Sequence, residues 1–193
     1  MGRQLTEMSL DELWELFPIV LKEHNPNYPE WYEDERAHIL SCVEDVGAVR
    51  ISHIGSTAVV GLLSKPTVDI LLEVDTHSDI PCLVGALETQ GWLPMSSEYE
   101  PELRLAFNKG YTLEGFAEKT CHLHVRHRGD WGELYFRDYL LAHPKIALEY
   151  GNLKLSLLES FEHDRDGYTE AKTSFITEHT KKARMEYPNR YRL

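Results

Sequence analysis

The chain has 193 residues, 42% hydrophobic and 27% charged, with a formal net charge of −12. That length supports one domain with a real core and no need of disulfides, and the acidic balance argues against nucleic acid, whose phosphates repel such a chain unless a local basic patch intervenes. No apolar run is long enough to cross a bilayer, Met1 to Met8 lack the apolar stretch of a secretory signal, and Cys42, Cys82 and Cys121 are too scattered for a disulfide framework or a zinc site, so the expected compartment is a reducing cytoplasm.

Residues 9–24 are predicted to be helical. Ser9 and Glu12 stand at capping-box spacing, and Leu10, Leu13, Trp14, Phe17, Val20 and Leu21 follow at helical intervals. Pro18 predicts a break or kink inside that run. A turn-rich stretch at 24–29 leads to a second helix that starts near Pro29 and ends near Gly47. Ala48–Ile54 reads as a short strand, and Gly55-Ser56-Thr57 follows it directly. Thr67–Val74 has the clearest strand pattern, and Ile80–Thr89 suits a helix stopped by Gly91.

Further strands are predicted over 103–107 and 122–126, with a turn-like region around Gly110 and Gly115 between them. Helices are expected over 131–141, from Pro144 to 157, and over 168–184. Helices, then strands mixed with helices, then helices again predict an α+β (mixed α/β) fold.

Three constellations can carry chemistry. In Gly55-Ser56-Thr57, a glycine and two hydroxyls directly after a strand can bring backbone N–H groups and side chains to a phosphate; a plain tight turn capped by Ser56 or Thr57 is the competing interpretation. In Lys65-Pro66-Thr67-Val68-Asp69, period-two alternation puts Thr67, Asp69, Leu71 and Glu73 on one face of the strand. A carboxylate in so apolar a strand needs a partner, a hydrogen bond or a metal, unless it lies at an exposed sheet edge. In the run from Cys121 to His127, His122, His124 and Arg126 share one strand face. Two imidazoles there suit a divalent ion or acid–base work, and Arg126 suits an anion; two surface histidines are the alternative.

These residues resemble the GrpB-like (UPF0157) family. The resemblance rests on His53-Ile54-Gly55-Ser56-Thr57-Ala58, Gly61-Leu62 and Lys65-Pro66-Thr67-Val68-Asp69-Ile70, then on Cys121-His122-Leu123-His124-Val125, Phe136-Arg137-Asp138 with Ala142-His143-Pro144, and Tyr168-Thr169-Glu170-Ala171-Lys172. It spans about residues 24–180, so residues 1–23 are expected to be a helical extension and 24–193 the domain.

The resemblance implies a minimal nucleotidyltransferase-like core, a small mixed or antiparallel sheet flanked by helices. Active members of that superfamily use a Gly-Ser loop for the triphosphate, and carboxylates at Asp-x-Asp spacing plus a third for two magnesium ions. Here position 71 is Leu71. The implied site is therefore Asp69, His122 and His124 as catalytic and metal-ligating residues, the metal being a divalent ion that tolerates imidazole. Gly55, Ser56, Thr57, Lys65, Arg104, Lys109 and Arg126 are the expected ligand contacts.

The function expected is nucleotidyl or phosphoryl transfer on a small phosphorylated molecule. The alternative is an inactive nucleotide- or coenzyme-binding module that assists a partner enzyme. A His-based phosphodiesterase is less well matched, because Arg126 stands where a third His would be needed.

Overall fold

The computed structural model describes residues 5–43 and 46–192. Its centre is strand β2, Thr67–Val74, in which only Asp69 is not buried. Val68, Ile70, Leu72 and Val74 point to one side, where they are fully buried, as alternation requires. Strand β1, Ala48–Ile54, lies antiparallel beside it. Strand β5, Gly115–His127, lies parallel on its other side, and β4, Arg104–Thr112, and β3, Leu93–Glu98, continue the sheet antiparallel. The sheet is thus mixed, in the order β1-β2-β5-β4-β3.

One sheet face is covered by α2, Tyr28–Cys42, and α3, Ile80–Thr89. Tyr28, Trp31, Ile39, Leu83, Leu87 and Trp92 pack there against the apolar residues of β2, β4 and β5 in one core. Asp79 caps α3 by accepting from the Cys82 amide at 3.0 Å. The second helix ends at Cys42 with Val43 as its C-cap, short of the end expected near Gly47; residues 44 and 45 lie outside the described residues.

The other face looks toward α4, Gly132–Ala142, α5, Pro144–Phe161, and α6, Arg165–Glu186. No helix among the described residues is long and apolar enough to cross a membrane.

Two further expectations are corrected. The first helix, α1, spans only Leu10–Leu16, because Pro18 cannot continue it and forces Phe17 out of the helical region. Beyond it Lys22 pairs with Ser64 as an isolated β-bridge. Phe17 and Ile19 are buried, and Phe17 packs on Tyr111 and Phe116 at 4.8 and 5.1 Å between ring centres. Second, the turn-like region around Gly110 is strand. β4 and β5 form one long hairpin closed at Thr112 and Gly115, and Gly110 sits at a register shift with φ +85°. A side chain there would collide with the Lys119 carbonyl, so a glycine that reads as a turn serves as a bulge.

Candidate functional site

β2 and β5 run in register, with Asp69 opposite His122, Leu71 opposite His124, and Glu73 opposite Arg126. The alternation that buries Ile70 and Leu123 therefore turns Asp69, His122 and His124 to the face beneath α5 and α6. His122 Nδ1 stands 3.2 Å from Asp69 Oδ1, and its Nε2 is 2.6 Å from the Tyr111 hydroxyl. Arg165, at the start of α6, donates to that hydroxyl at 3.3 Å. A hydrogen-bonded chain thus crosses from the sheet to the helices.

Asp69 lies under the loop that follows β1. Gly55 has φ +69°, and any side chain there would overlap the Asp69 carboxylate, so the loop closes on the carboxylate only because this residue is glycine. Ser56–Ala58 forms a 3-10 turn. Thr57 is buried, donates to the Thr67 carbonyl at 3.3 Å, and meets His53 Nε2 at 3.0 Å. Both bonds fasten the loop to the sheet, and His53, stacked on Tyr32, is a brace facing the apolar core side.

Cations crowd around this carboxylate. Lys154 of α5 is 3% exposed. It donates to Ser56 Oγ at 2.9 Å and to the Leu63 carbonyl. Lys172 of α6 is 9% exposed and lies 4.2 Å from the centre of the Tyr168 ring. Lys65 lies 6.0 Å from the same ring centre.

Burial, reinforced by Lys172 and Lys65, pulls Lys154 down to about 7, and burial with Lys65 pulls Lys172 to about 8. Lys65 is lowered by burial and by Arg165. Burial alone would raise Asp69. The bond from His122 and the charges of His122, His124 and Lys65 outweigh it, and Asp69 lies below the usual carboxylate range. His124 is lowered by burial. The Asp69 side chain keeps 29% of its surface, so its carboxylate is reachable from solvent.

The structure brings together Asp69, His122, His124, Gly55, Ser56, Thr57 and Lys65. Three other expected contacts stand elsewhere. Lys109 is opposite Cys121 on the other sheet face, paired with Glu35 at 2.9 Å. Arg104 pairs with Glu102 at the far end of β4. Arg126 shares the His face but is held by Glu133 at 2.7 Å and by the Trp131 ring.

The residues do not fit the expected metal centre. Among the described residues no three His, Cys, Asp or Glu side chains gather as a metal would require. The hydrogen bonds give the reason, since both ring nitrogens of His122 already face partners, Asp69 and Tyr111.

The sequence alone does not single out Lys154, Lys172, Arg165 or Tyr111 as site residues. Two carried a signal. Ala147, Tyr150, Gly151 and Lys154 are the buried residues of α5, and Tyr168, Lys172, His179 and Ala183 those of α6. In each helix a lysine sits at helical spacing inside the buried stripe, where charge is costly without a purpose.

Residues 18–182 match the family described as GrpB protein. The chain belongs to the GrpB family. The glutamate-rich protein GrpB of Alkalihalophilus pseudofirmus is 32% identical over 164 residues, covering 83% of this chain and 92% of that one. A UPF0157 protein of Streptomyces coelicolor is 32% identical over 84% of this chain and 82% of its own length. The crystal structure of conserved protein GrpB from Enterococcus faecalis superposes with a TM-score of 0.75 at 28% identity, covering 87% of this chain and 99% of that chain. Cid1, solved with its product ApU, aligns at a TM-score of 0.48 and 13% identity over 76% of this chain and 43% of that chain, a likeness of outline alone.

Proposed function

We propose that this GrpB chain binds a small phosphorylated molecule of the nucleotide kind in the cleft between the sheet and α5–α6, and transfers a phosphoryl or nucleotidyl group there. One observation carries the proposal. Lys65, Lys154 and Lys172, from one loop and two helices, all feel the charge of Asp69, Arg165 reaches the Tyr111 hydroxyl that His122 also meets, and among the described residues none of the four forms an ion pair with a carboxylate. In a chain of net charge −12, unpaired cations, of which Lys154 and Lys172 are buried, are expensive to keep unless an anion comes to them. The Ser56 hydroxyl and the turn it opens supply the hydrogen bonds a phosphate takes. The Asp69–His122 pair lies at the floor, where it can move a proton between an attacking hydroxyl and a leaving group.

A second reading, a ligand-binding module without transfer, is favoured by one feature. Leu71 occupies the place of a second carboxylate and is fully buried. The test is to incubate the full chain with nucleoside triphosphates, follow binding by calorimetry and products by mass spectrometry, and repeat with Asp69→Asn. Turnover that is lost in Asp69→Asn supports transfer. Binding with the nucleotide recovered intact supports the module. Absence of binding removes both.

A further inference from the structure

Among the described residues, the acidic side chains that a two-metal centre needs are lacking or engaged. Position 71 is apolar, and Glu73, the next side chain on that face of β2, is 0% exposed. Its carboxylate receives Arg50 Nη2 at 2.7 Å and the Gly129 amide at 3.0 Å, and so joins β1, β2 and the loop before α4. His122 has both ring nitrogens committed. Among the described residues, Asp69 is the one carboxylate left in the paired stretch of β2 and β5 without an arginine or lysine partner. Magnesium prefers several oxygen ligands in a tight octahedral set and keeps its waters where protein oxygens are few.

Positive charge is present nonetheless, supplied by the protein. Lys65, Lys154, Lys172 and Arg165 set against Asp69 leave a surplus of three once the charge of an entering anion draws the lowered lysines to their protonated form. A single phosphate carries about two negative charges at most near neutral pH. It would leave part of that surplus unmatched, whereas a chain of two or three phosphates would match it.

We propose that the cleft takes the diphosphate or triphosphate of its ligand on protein cations alone, so that tight binding requires no divalent metal and is weakened by one. The inference rests on the phosphate-binding reading above. The physical ground is competition. Magnesium bound to a polyphosphate cancels charge that the lysines would otherwise meet, and the cleft floor offers it a single carboxylate in return.

The test is calorimetric titration of the full chain with inorganic phosphate, pyrophosphate and tripolyphosphate, first in EDTA and then in excess Mg²⁺. Tripolyphosphate is expected to bind in EDTA at least tenfold more tightly than phosphate, and excess Mg²⁺ to weaken it threefold or more. Lys172→Met should lose tenfold or more in affinity, while Lys172→Arg, which keeps the charge, should lose much less. A melting curve on each variant separates lost binding from lost folding. Binding that appears only with Mg²⁺ overturns the inference and leaves the phosphate cleft standing. Equal affinity for phosphate and tripolyphosphate overturns the polyphosphate assignment. No binding of any of the three in either buffer overturns this inference and the reading beneath it together.

Discussion

The two faces of this sheet are made by the same strands and do opposite work. Toward α2 and α3, Val68, Ile70, Leu72, Leu123 and Val125 are fully buried among apolar neighbours. Toward α5 and α6, one residue along from each, stand Asp69, His122 and His124, with lysines descending from the helices. The first face supplies the apolar burial that folding needs. The second packs Ile54 and Leu71 on Leu134 but also carries buried charge, which the apolar burial must offset. A strand can serve both because its side chains alternate, and a shift of one residue in register would exchange the two roles.

The largest expected effect tests this alternation directly. Leu123 and His124 are neighbours on β5, with Leu123 wholly buried and His124 half-buried over the cleft. Leu123→Ala should cost about 2–5 kcal/mol of stability, the usual range for a large buried aliphatic truncated in a core. His124→Ala should cost less than about 1 kcal/mol, because burial already disfavours its charged form. Urea unfolding of both variants is the measurement. Similar losses at the two positions would show that the cleft face also carries the fold.

A middle-sized effect of opposite sign is expected at Lys154. Its amine meets Ser56 and the Leu63 carbonyl, and it faces Tyr150, Lys172, Lys65 and Asp69. Its pKa falls from 10.5 in the unfolded chain to about 7 in the fold. Between those values the unfolded state holds a proton that the folded state does not, so stability from this group rises with pH from about 7 toward 10.5. Below about 7 the penalty is fully present. Lys154→Met removes the penalty and leaves the Leu63 carbonyl without its partner. The net gain expected is roughly 2 kcal/mol at pH 7, shrinking toward pH 10. Melting curves at the two pH values check it, and a variant less stable than the wild type at pH 7 would show that the lysine's hydrogen bonds outweigh its desolvation.

The same contrast explains what the sequence could reveal. Ala48–Ile54, Thr67–Val74 and Ile80–Thr89 were legible to the residue, because each is an apolar pattern closed by glycine, proline or a capping side chain. Strand β3, Leu93–Glu98, was not legible. All six of its residues are exposed, and Pro94 interrupts it, so it has neither alternation nor a hydrophobic run to report it. The sheet half of the cleft was legible through Asp69, His122 and His124, since polar residues on one face of an apolar strand are visible at short range. The helical half was not. Lys154 and Lys172 lie far along the chain from Asp69, in helices rich in charge, and only their place within the buried stripe distinguishes them.

The smallest effect concerns an element that belongs to neither face. α1 has no buried residue, and Leu10 is 63% exposed. Its start is nevertheless well formed. Ser9 accepts from the Glu12 amide at 3.3 Å, and Glu12 returns to the Ser9 amide at 2.8 Å. Such a cap contributes about 1 kcal/mol to its own helix. A local element transmits that loss to global stability only if it unfolds together with the core. The chain after the helix is anchored independently, by Phe17 against Tyr111 and Phe116 and by the Ile19 amide on the Glu162 carbonyl at 2.8 Å. Ser9→Ala should therefore change global stability by less than about 0.5 kcal/mol, while amide exchange within Leu10–Leu16 accelerates severalfold. A clear fall in the melting temperature would mean that α1 unfolds with the sheet, and that the rim of this domain is coupled to its core.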